Sequence, residues 1–373
     1  MQKRTASIKL VTTAQESALL NAVQRESARV CNTIVLLAHK NNCGNHVKLH
    51  RLAYYPIRAT TNLGSQMVCN ALKAVCNAFK SMKSKKAKEL PVSRFKPTSR
   101  VHYDKRTYSF KDGALSLCTL SRRIVLPMAL GKPQKEYLRI GTPKKAQLIY
   151  RNKKWFFNLV FDIPDVPLSP SSDKVLGVDL GENVVAATYL RKLYGGRQLR
   201  HKRDCAVAQR KRLQRKGTKS SQRKLKKTSD KEARHIKHTN HSLSKAIVQE
   251  ALNSGCFVIA LENLTNIRDR IKATKRVRYR LHGWAWAQLQ RFIVYKAQAV
   301  GLKVVFVNPA YTSKTCALCK ELSIRVKHRF VCKVCGIQRH SDLNASLNIS
   351  RIAASADGAT GAVNHPNMEA ALA

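Results

Sequence analysis

Apolar residues recur at helical spacing in the first part of the chain. The repeat runs through Thr13–Lys40 and again through 63–82, where Val68, Leu72 and Phe79 lie on one face. Spacing of three or four residues predicts amphipathic helices, and we expect two or three of them in a small bundle. The stretch KRTASIKLVTT in front of them predicts a short strand.

From about Val92 the apolar pattern changes to short alternating segments. In order, these are RTYSF, ALSLCTL, RRIVLPMA, EYLRIG, KAQLIYR and KWFFNLVFDI, with Gly, Pro and Lys between them. Alternation between turn residues predicts strands joined by hairpins, and a run of such strands predicts a small barrel or sandwich. The helices would then be an insertion after the first strand of that barrel.

A segment rich in Pro and Ser, DIPDVPLSPSSD at Asp162–Asp173, predicts a linker and a domain boundary. After it the pattern is that of an α/β domain, with buried strands predicted for KVLGVDLG, VVAATYL, CFVIAL and KVVFVNP. Trp284–Val300 repeats apolar residues on one helical face, and Gly301 is the predicted stop of this helix. Residues from 354 onward are small and polar, which predicts a frayed tail.

The 373 residues carry a formal charge of +49, from 70 Lys and Arg against 21 Asp and Glu. The length predicts two or three domains, and the charge predicts a polyanionic partner, of which nucleic acid is the simplest. The densest block, Arg191–Lys237, holds 19 Lys and Arg and three acids, so we expect nucleic-acid contact rather than only a solvated basic helix. Without an apolar run of about 18 residues or a signal-peptide pattern, we expect a soluble, intracellular protein with no membrane partner.

Four of the eleven cysteines form two close pairs, Cys316 with Cys319 and Cys332 with Cys335, and 12 residues separate the pairs. This is the spacing of a zinc ribbon, in which each pair turns two thiolates to one side of a knuckle. Because thiolates would fill all four positions, we predict a structural zinc; a catalytic zinc and a redox dithiol are the weaker alternatives. The other seven cysteines are expected to be small buried residues in a reducing compartment; they are Cys31, Cys43, Cys69, Cys76, Cys118, Cys205 and Cys256.

Three acids stand out by their neighbours. We place Asp179 of GVDLG at the middle of an apolar strand, Glu262 of VIALENL at the C-terminal end of another, and Asp342 of HSDLNASLNI at a helix start. Each has an ordinary explanation: an arginine partner for Asp179, a solvent-facing strand end for Glu262, and an N-cap for Asp342.

Together the three acids suggest more, because the order of these elements lets them meet at one edge of a mixed sheet. Such a cluster repels itself. Two Mg ions about 3.5 to 4 Å apart would neutralise it, activate a water and stabilise the leaving oxygen of a phosphodiester. The acids therefore predict a nuclease site.

The same motifs carry a family resemblance that covers almost the whole chain. GVDLG, IALENL and the ribbon running into HSDLNASLNI resemble the three split motifs of a RuvC-type RNase H domain in the TnpB family, transposon-encoded RNA-guided nucleases related to type V CRISPR effectors. KPTSRVHYDKRTYSF and LSLCTLSRRIVLP resemble the family's wedge barrel, and GSQMVCNALKAVCNAFKS its recognition bundle. Lys320 follows the second Cys where Gly is common, and Ser341 precedes Asp342 where Arg is frequent; neither removes a ligand.

The resemblance implies a multidomain α+β fold. Its parts are a wedge β-barrel from 1–12 and 93–168, a helical recognition domain at 13–92, a RuvC nuclease domain at 173–353 with a zinc ribbon inserted at 312–338, and a disordered tail at 354–373. Asp179, Glu262 and Asp342 are implied to be catalytic ligands of two Mg ions. Asn344 matches a family position near the site, and a capping role for it is equally open.

The resemblance also implies partners. These are a guide RNA transcribed from the transposon end and a double-stranded DNA target beside a short motif, with both target strands cut at one site. We expect a monomer with its RNA in a prokaryotic cytoplasm, associated with the nucleoid when bound to DNA. Two alternatives are a nuclease-silent RNA-guided DNA-binding repressor, which would not be expected to keep all three acids, and a DNA-strand transferase, which the interrupted ribbon and the wedge-like half disfavour.

Overall fold

A computed structural model describes residues 2–82, 93–111, 113–168, 174–265, 274, 278–279, 283 and 285–357. The protein is a mixed α+β chain that divides into two compact units between Pro164 and Asp165. The predicted linker spans this point, and its residues 169–173 lie outside the described residues. Each unit is described by itself below.

The strands of the first unit form antiparallel sheets. They are β1 (Gln2–Leu10), β2 (Val101–Tyr103), β3 (Tyr108–Lys111), β4 (Ala114–Cys118), β5 (Arg123–Leu126), β6 (Met128–Ala129), β7 (Thr142–Arg151) and β8 (Lys154–Ile163). Among the described residues one sheet has the order β2-β7-β8-β1-β6 and the other the order β3-β4-β5. Asn152 and Lys153 join β7 to β8 with φ values of 51° and 58°, the left-handed pair of a tight hairpin turn.

Three helices follow β1 in sequence: α1 (Ala14–Lys40), α2 (His46–Thr60) and α3 (Ser65–Met82). Thr13 caps α1 in a capping box, because its Oγ1 accepts from Glu16 N at 3.2 Å while Glu16 Oε2 accepts from Thr13 N at 2.8 Å. The helices and both sheets share one hydrophobic core, in which Trp155 and Phe157 are buried.

One of the strands expected in this unit is a helix. The segment EYLRIG was predicted to be extended, but its first five residues end α4 (Lys132–Ile140) and its glycine is the C-cap. Gly131 precedes a proline in the first turn and donates its N–H to Gln134 Oε1 at 3.2 Å, a helix-start signal that the short apolar run concealed. Tyr137 then packs its ring against Phe161 at a centroid distance of 6.1 Å.

The second unit contains a mixed sheet. Its strands are β9 (Val175–Asp179), β10 (Val184–Thr188), β11 (Leu193–Gly195), β12 (Val258–Glu262) and β13 (Lys303–Val307), in the order β11-β10-β9-β12-β13. β12 runs parallel to β9 and β13, while β10 is antiparallel to β9. The predicted buried strands are therefore neighbours in a single sheet.

Helices cover both faces of this sheet. They are α5 (Arg197–Lys216), α6 (Lys219–Asn253), α7 (Trp286–Gln298) and α8 (Ser341–Asp357). On one face, Leu176 and Val178 share a hydrophobic core with Ile247 of α6 and Ile293 of α7. On the other face, Val175 and Ala260 share a second core with Ile349 of α8.

The ends of the helices can be compared with the boundaries predicted from the sequence. Helix α7 was predicted to run to Val300 but ends at Gln298, and Gly301, with a φ of 76°, lies in the turn that follows and donates its N–H to Gln298 O at 3.3 Å. The basic block forms most of α5 and α6, which Gly217 separates with a φ of 66°. Helix α8 continues to Asp357, past the predicted start of the tail at 354, because Ala353 is buried and alanine favours helix; residues 358–373 lie outside the described residues.

A small antiparallel sheet lies between β13 and α8 in sequence. Its strands are β14 (Ile324–Val326), β15 (Arg329–Val331) and β16 (Gln338–His340). The first cysteine pair precedes β14, the second lies between β15 and β16, and β16 leads directly into α8. None of the helices in the described residues combines the length and the apolar character that a membrane span requires.

Candidate active site and metal centre

The four paired cysteines come together as the sequence predicts. The ligand atoms of Cys316, Cys319, Cys332 and Cys335 all lie within 4.8 Å of one another. Across the pairs, Sγ of Cys316 is 3.6 Å from Sγ of Cys335, and Sγ of Cys319 is 3.4 Å from that of Cys332. Tetrahedral zinc with bonds of about 2.3 Å requires sulfur separations of about 3.8 Å, so the donor set fits a four-thiolate zinc.

Backbone and hydroxyl donors contact the sulfurs of Cys316 and Cys332. The backbone N–H of Leu318 donates to Cys316 Sγ at 3.4 Å, and that of Cys335 donates to Cys332 Sγ at 3.5 Å. The N–H of Cys335 and the Ser323 hydroxyl, at 3.3 Å, lower the pKa of Cys332 to about 6. Cys332 is therefore prepared to bind metal as a thiolate at neutral pH, whereas burial and contacts with the other thiols raise the pKa of Cys319 to about 12 and also raise that of Cys335.

The other seven cysteines differ in solvent exposure. Cys31, Cys43, Cys76 and Cys256 are buried, as expected of small apolar residues. Cys69 and Cys118 are partly buried, and Cys205 is exposed on the basic helix α5. The expectation of buried cysteines is therefore wrong for Cys205, whose strongly polar helix offers it no core to enter.

Strand geometry brings Asp179 and Glu262 to one edge of the sheet. Each is the last residue of its strand, β9 and β12, which are adjacent and parallel. Asp179 was expected at the middle of its strand, but the strand ends at that residue. Side chains alternate along a strand, so both acids share the sheet face that α8 covers.

Asp342 reaches the same edge from the other direction. It is the second residue of α8, and its side chain is 14 % exposed. Ser341 Oγ donates to Asp342 Oδ1 at 3.0 Å, and Ser341 N donates to His328 O at 2.8 Å. The end of the ribbon therefore fixes the start of the helix that presents the third acid.

The three carboxylates act on one another electrostatically. Burial raises the pKa of Asp179 well above its usual range, and the nearby Glu262 and Asp342 raise it further. Burial also raises the pKa of Glu262, with a smaller contribution from Asp342 in the same direction. Among the described residues the carboxylates do not form a second group as tight as the four thiols. Burial and mutual repulsion therefore disfavour the charged forms of Asp179 and Glu262.

Arg325 supplies positive charge beside these acids, and sequence reasoning did not find it. It lies on β14 of the ribbon, and its Nη2 is 3.4 Å from Asp342 Oδ1. Its positive charge opposes the upward pKa shifts of Asp179 and Glu262. No local motif marks this arginine in so basic a sequence, because only the fold of the ribbon brings it to the acids.

Glu262 is held by neighbours that the sequence did not reveal either. Its Oε1 accepts from the hydroxyl of Thr312 at 2.5 Å, and its backbone carbonyl accepts from Gln290 Nε2 at 2.8 Å. Glu262 is only 7 % exposed. The strand end is therefore fixed in both backbone and side chain, rather than facing solvent.

The side chain of Asn344 contacts the segment that carries the first knuckle. Its side chain accepts from Ala317 N at 3.0 Å and donates to Thr315 O at 2.6 Å. Both partners belong to the segment that carries Cys316, so this asparagine does not cap its own helix. It ties α8 to the first knuckle.

Two family models match the chain. One, described as a probable transposase, matches residues 158–268. The other, described as a Cas12f1-like TNB domain, matches residues 286–349. The first range contains Asp179 and Glu262, and the second contains the four zinc-type cysteines and Asp342.

Two curated relatives show the extent of the likeness. The CRISPR-associated endodeoxyribonuclease Cas12f1 of Sulfoacidibacillus thermotolerans is 32% identical over 55% of this chain and 52% of its own length. A TnpB-like protein of Methanocaldococcus jannaschii is 36% identical over 34% of this chain and 45% of its own length. The chain thus spans about half the length of these relatives.

A solved structure shares the fold. The cryo-EM structure of a Cas12f1–sgRNA–target DNA complex covers 91% of this chain and 83% of its own, with a TM-score of 0.66 at 16% identity. The resemblance predicted from the motifs is confirmed. By its family models and curated relatives the chain is similar to TnpB-like proteins and to Cas12f1 endodeoxyribonucleases, and it shares the fold of the solved Cas12f1 structure.

Proposed function

We propose that the protein is an RNA-guided DNA endonuclease. It uses a guide RNA derived from the transposon end, recognises a short motif beside its target, and cuts both target strands at one RuvC-type site. Pairing with the guide selects the sequence, while the protein reads duplex shape, backbone and the short motif.

One observation carries this proposal: Asp179, Glu262 and Asp342 converge at one edge of the second unit's sheet. Two of these carboxyls have raised pKa values because burial and mutual repulsion disfavour their charged forms. Burying a cluster of acids of this kind costs free energy, and such clusters are commonly found at functional sites. Binding of divalent cations is the purpose that suits oxygen ligands best.

The three acids would hold two Mg ions. Such ions supply activation of a water and stabilisation of the leaving oxygen in phosphodiester hydrolysis. Asp179 and Glu262 present carboxylate oxygens from fixed strand ends, and Asp342 completes the set from α8. Arg325 offers a guanidinium that suits a phosphate oxygen of the scissile strand.

The charge of the chain supports nucleic-acid partners. A net charge of +49 is balanced by RNA and DNA phosphates, and the basic block lies on α5 and α6, where Arg223, Lys224, Lys226 and Lys227 are exposed. The relative in the solved complex binds a guide RNA and target DNA. We propose that this chain works as a monomer with one RNA in a prokaryotic cytoplasm, and that one structural zinc stabilises its ribbon.

The decisive experiment uses the protein purified with its co-expressed RNA. A plasmid library with randomised flanks beside one guide-matched target is offered with and without Mg²⁺. We expect cutting that requires Mg²⁺ and disappears in Asp179→Ala. Tight, guide-dependent binding by the unmutated protein with no cutting would instead support the repressor alternative. Light scattering of the purified complex tests the monomer.

A further inference from the structure

Two buried asparagines lie one turn apart on α8. Asn344 is fully buried and Asn348 is 1 % exposed. Both direct their amides away from the helix and toward the segment that joins β13 to the first cysteine knuckle. Asn344 bonds to Ala317 and Thr315, as described above, and Asn348 Nδ2 donates to Thr312 O at 2.8 Å and to Thr315 O at 2.7 Å.

These bonds fix a short segment with an important residue at each end. Thr312 is at one end, and Cys316 with its knuckle is at the other. The Thr312 side chain is buried, and its hydroxyl donates to Glu262 Oε1 at 2.5 Å. A continuous set of hydrogen bonds therefore runs from the first knuckle, through two amides of α8, to the carboxylate of the second acid.

General stabilisation does not account for Asn348. Its Oδ1 is buried and has no hydrogen-bond partner within the described residues, and an unsatisfied buried oxygen is unfavourable. The donor side of the same amide makes both useful bonds. The bonds that its donors make to Thr312 and Thr315 therefore make Asn348 a candidate for positioning.

We propose that Asn344 and Asn348 are positioning residues that hold Thr312 against Glu262, so that an ordered zinc ribbon orients an acid of the nuclease site. The inference rests on the proposed nuclease function and adds to it a defined route from the zinc knuckle to the chemistry. A loosened knuckle would let Thr312 move away from Glu262 while leaving the fold of the sheet intact. Partners of this kind orient the ligands of a metal site, and their loss commonly costs about 10- to 100-fold in activity or metal affinity.

The first test uses two substitutions at Thr312. Thr312→Val keeps the volume and removes the hydroxyl, whereas Thr312→Ser keeps the hydroxyl. We expect Thr312→Val to lower kcat about 10- to 100-fold and to raise the Mg²⁺ concentration at half-maximal cutting, with DNA affinity unchanged. Thr312→Ser should stay close to the unmutated protein. Equal activity of Thr312→Val and the unmutated protein would overturn the proposal.

The second test measures the link to zinc without relying on cutting. Asn344→Ala and Asn348→Ala are compared with Ser346→Ala, which removes a hydroxyl that is equally buried on the same helix but donates to Leu343 O of that helix. Zinc release to a colorimetric chelator is followed for each complex. Both asparagine variants should release zinc faster than Ser346→Ala and should show the same rise in Mg²⁺ requirement as Thr312→Val.

The two tests separate the possible failures. If the unmutated protein does not cut DNA, the proposed function fails, and the zinc-release comparison still decides whether the amides hold the knuckle. If it cuts and the asparagine variants match Ser346→Ala in both zinc release and Mg²⁺ requirement, the positioning role is wrong. If an asparagine variant does not fold, the comparison of Thr312→Val with Thr312→Ser decides whether the Thr312 hydroxyl orients Glu262.

Discussion

Lys320 and Gly336 each follow the second cysteine of a knuckle, and they share nearly the same left-handed backbone, with φ values of 68° and 69°. Glycine adopts this conformation without a steric penalty, whereas a residue with a Cβ is strained by about 1 kcal/mol or more. The departure from glycine noted in the sequence therefore has a structural cost. The two knuckles have the same backbone geometry, but only the first carries backbone strain at this position.

Replacing Lys320 by glycine should stabilise the ribbon. We expect Lys320→Gly to raise the free energy of unfolding by about 1 kcal/mol and Gly336→Ala to lower it by a similar amount. Space around Gly336 is open, so only its φ opposes the added methyl group. Chemical denaturation of the zinc-loaded protein measures both. The control is Lys333→Gly, because Lys333 does not have a positive φ. This substitution should lower the free energy of unfolding. If it instead raised that free energy as much as Lys320→Gly, backbone strain at Lys320 would not be the explanation.

Zinc content should follow the four ribbon cysteines alone. We expect about one zinc per chain by metal analysis and loss of that zinc in Cys332→Ser, because a four-thiolate site tolerates no missing ligand well. Cys205→Ser is the matched control, since this thiol is exposed and lies on α5. Freshly purified, folded protein without zinc would refute the assignment.

Removing one acid should stabilise the magnesium-free protein at neutral pH. The pKa of Asp179 is raised in the folded state, so its ionised form opposes folding at pH 7. Each unit of elevation corresponds to about 1.4 kcal/mol. We expect Asp179→Asn to unfold at higher denaturant than the unmutated protein in magnesium-free buffer.

The sign of the pH dependence follows from the same shift. As the pH falls through the raised folded-state pKa, the native carboxyl takes up a proton and the unmutated protein gains stability. The advantage of Asp179→Asn should therefore shrink on acidification and disappear below the unfolded-state pKa of about 3.9. The exposed Asp204 provides the control Asp204→Asn. An advantage that grows as the pH falls would contradict the raised pKa.

Loss of Arg325 should move the pH dependence of cutting. Burial raises the pKa values of Asp179 and Glu262, and Arg325 opposes that rise. In Arg325→Gln the carboxyls should therefore ionise at higher pH, and the acid limb of the pH–rate profile should shift upward at fixed Mg²⁺. Arg329→Gln removes the same charge from β15, where Arg329 is exposed and bonds to Gln338. Identical shifts in the two variants would mean that the effect is general electrostatics.

Salt titration should locate the basic contact surface. Lys226→Gln together with Lys227→Gln removes two exposed charges from α6. If both contact phosphates, the slope of log affinity against log salt for nucleic acid should fall by about 1.4 to 1.8. The pair Lys132→Gln and Lys135→Gln, exposed on α4, removes the same charge. Equal slopes for the two double variants would argue against a specific role for α6.

The sequence located the candidate ligands better than the residues that contact them. Glu262, Asp342 and the four cysteines stand where local patterns place them, because strand ends, helix starts and paired cysteines are signalled by their immediate neighbours. Arg325 and Thr312 reach the acids only through the folded ribbon and the segment before it, and nothing in their neighbourhood indicates this. The segment of α4 was predicted wrongly because a short apolar run fits the period of a strand as well as that of a helix. Packing of Tyr137 against Phe161 favours the helix.

One glycine determines how closely the first and third acids can approach. A Cβ on Gly177 would lie 2.1 Å from the carbonyl oxygen of Ser346 and 2.5 Å from the backbone nitrogen of Ser350, so any other residue there would force α8 away from β9. Asp179 lies two residues beyond this contact on the strand, and Asp342 lies about one turn before it on the helix. The gap in which two metal ions would sit is therefore set by the absence of a single methyl group, and a change of Gly177 to alanine would widen it without touching a ligand.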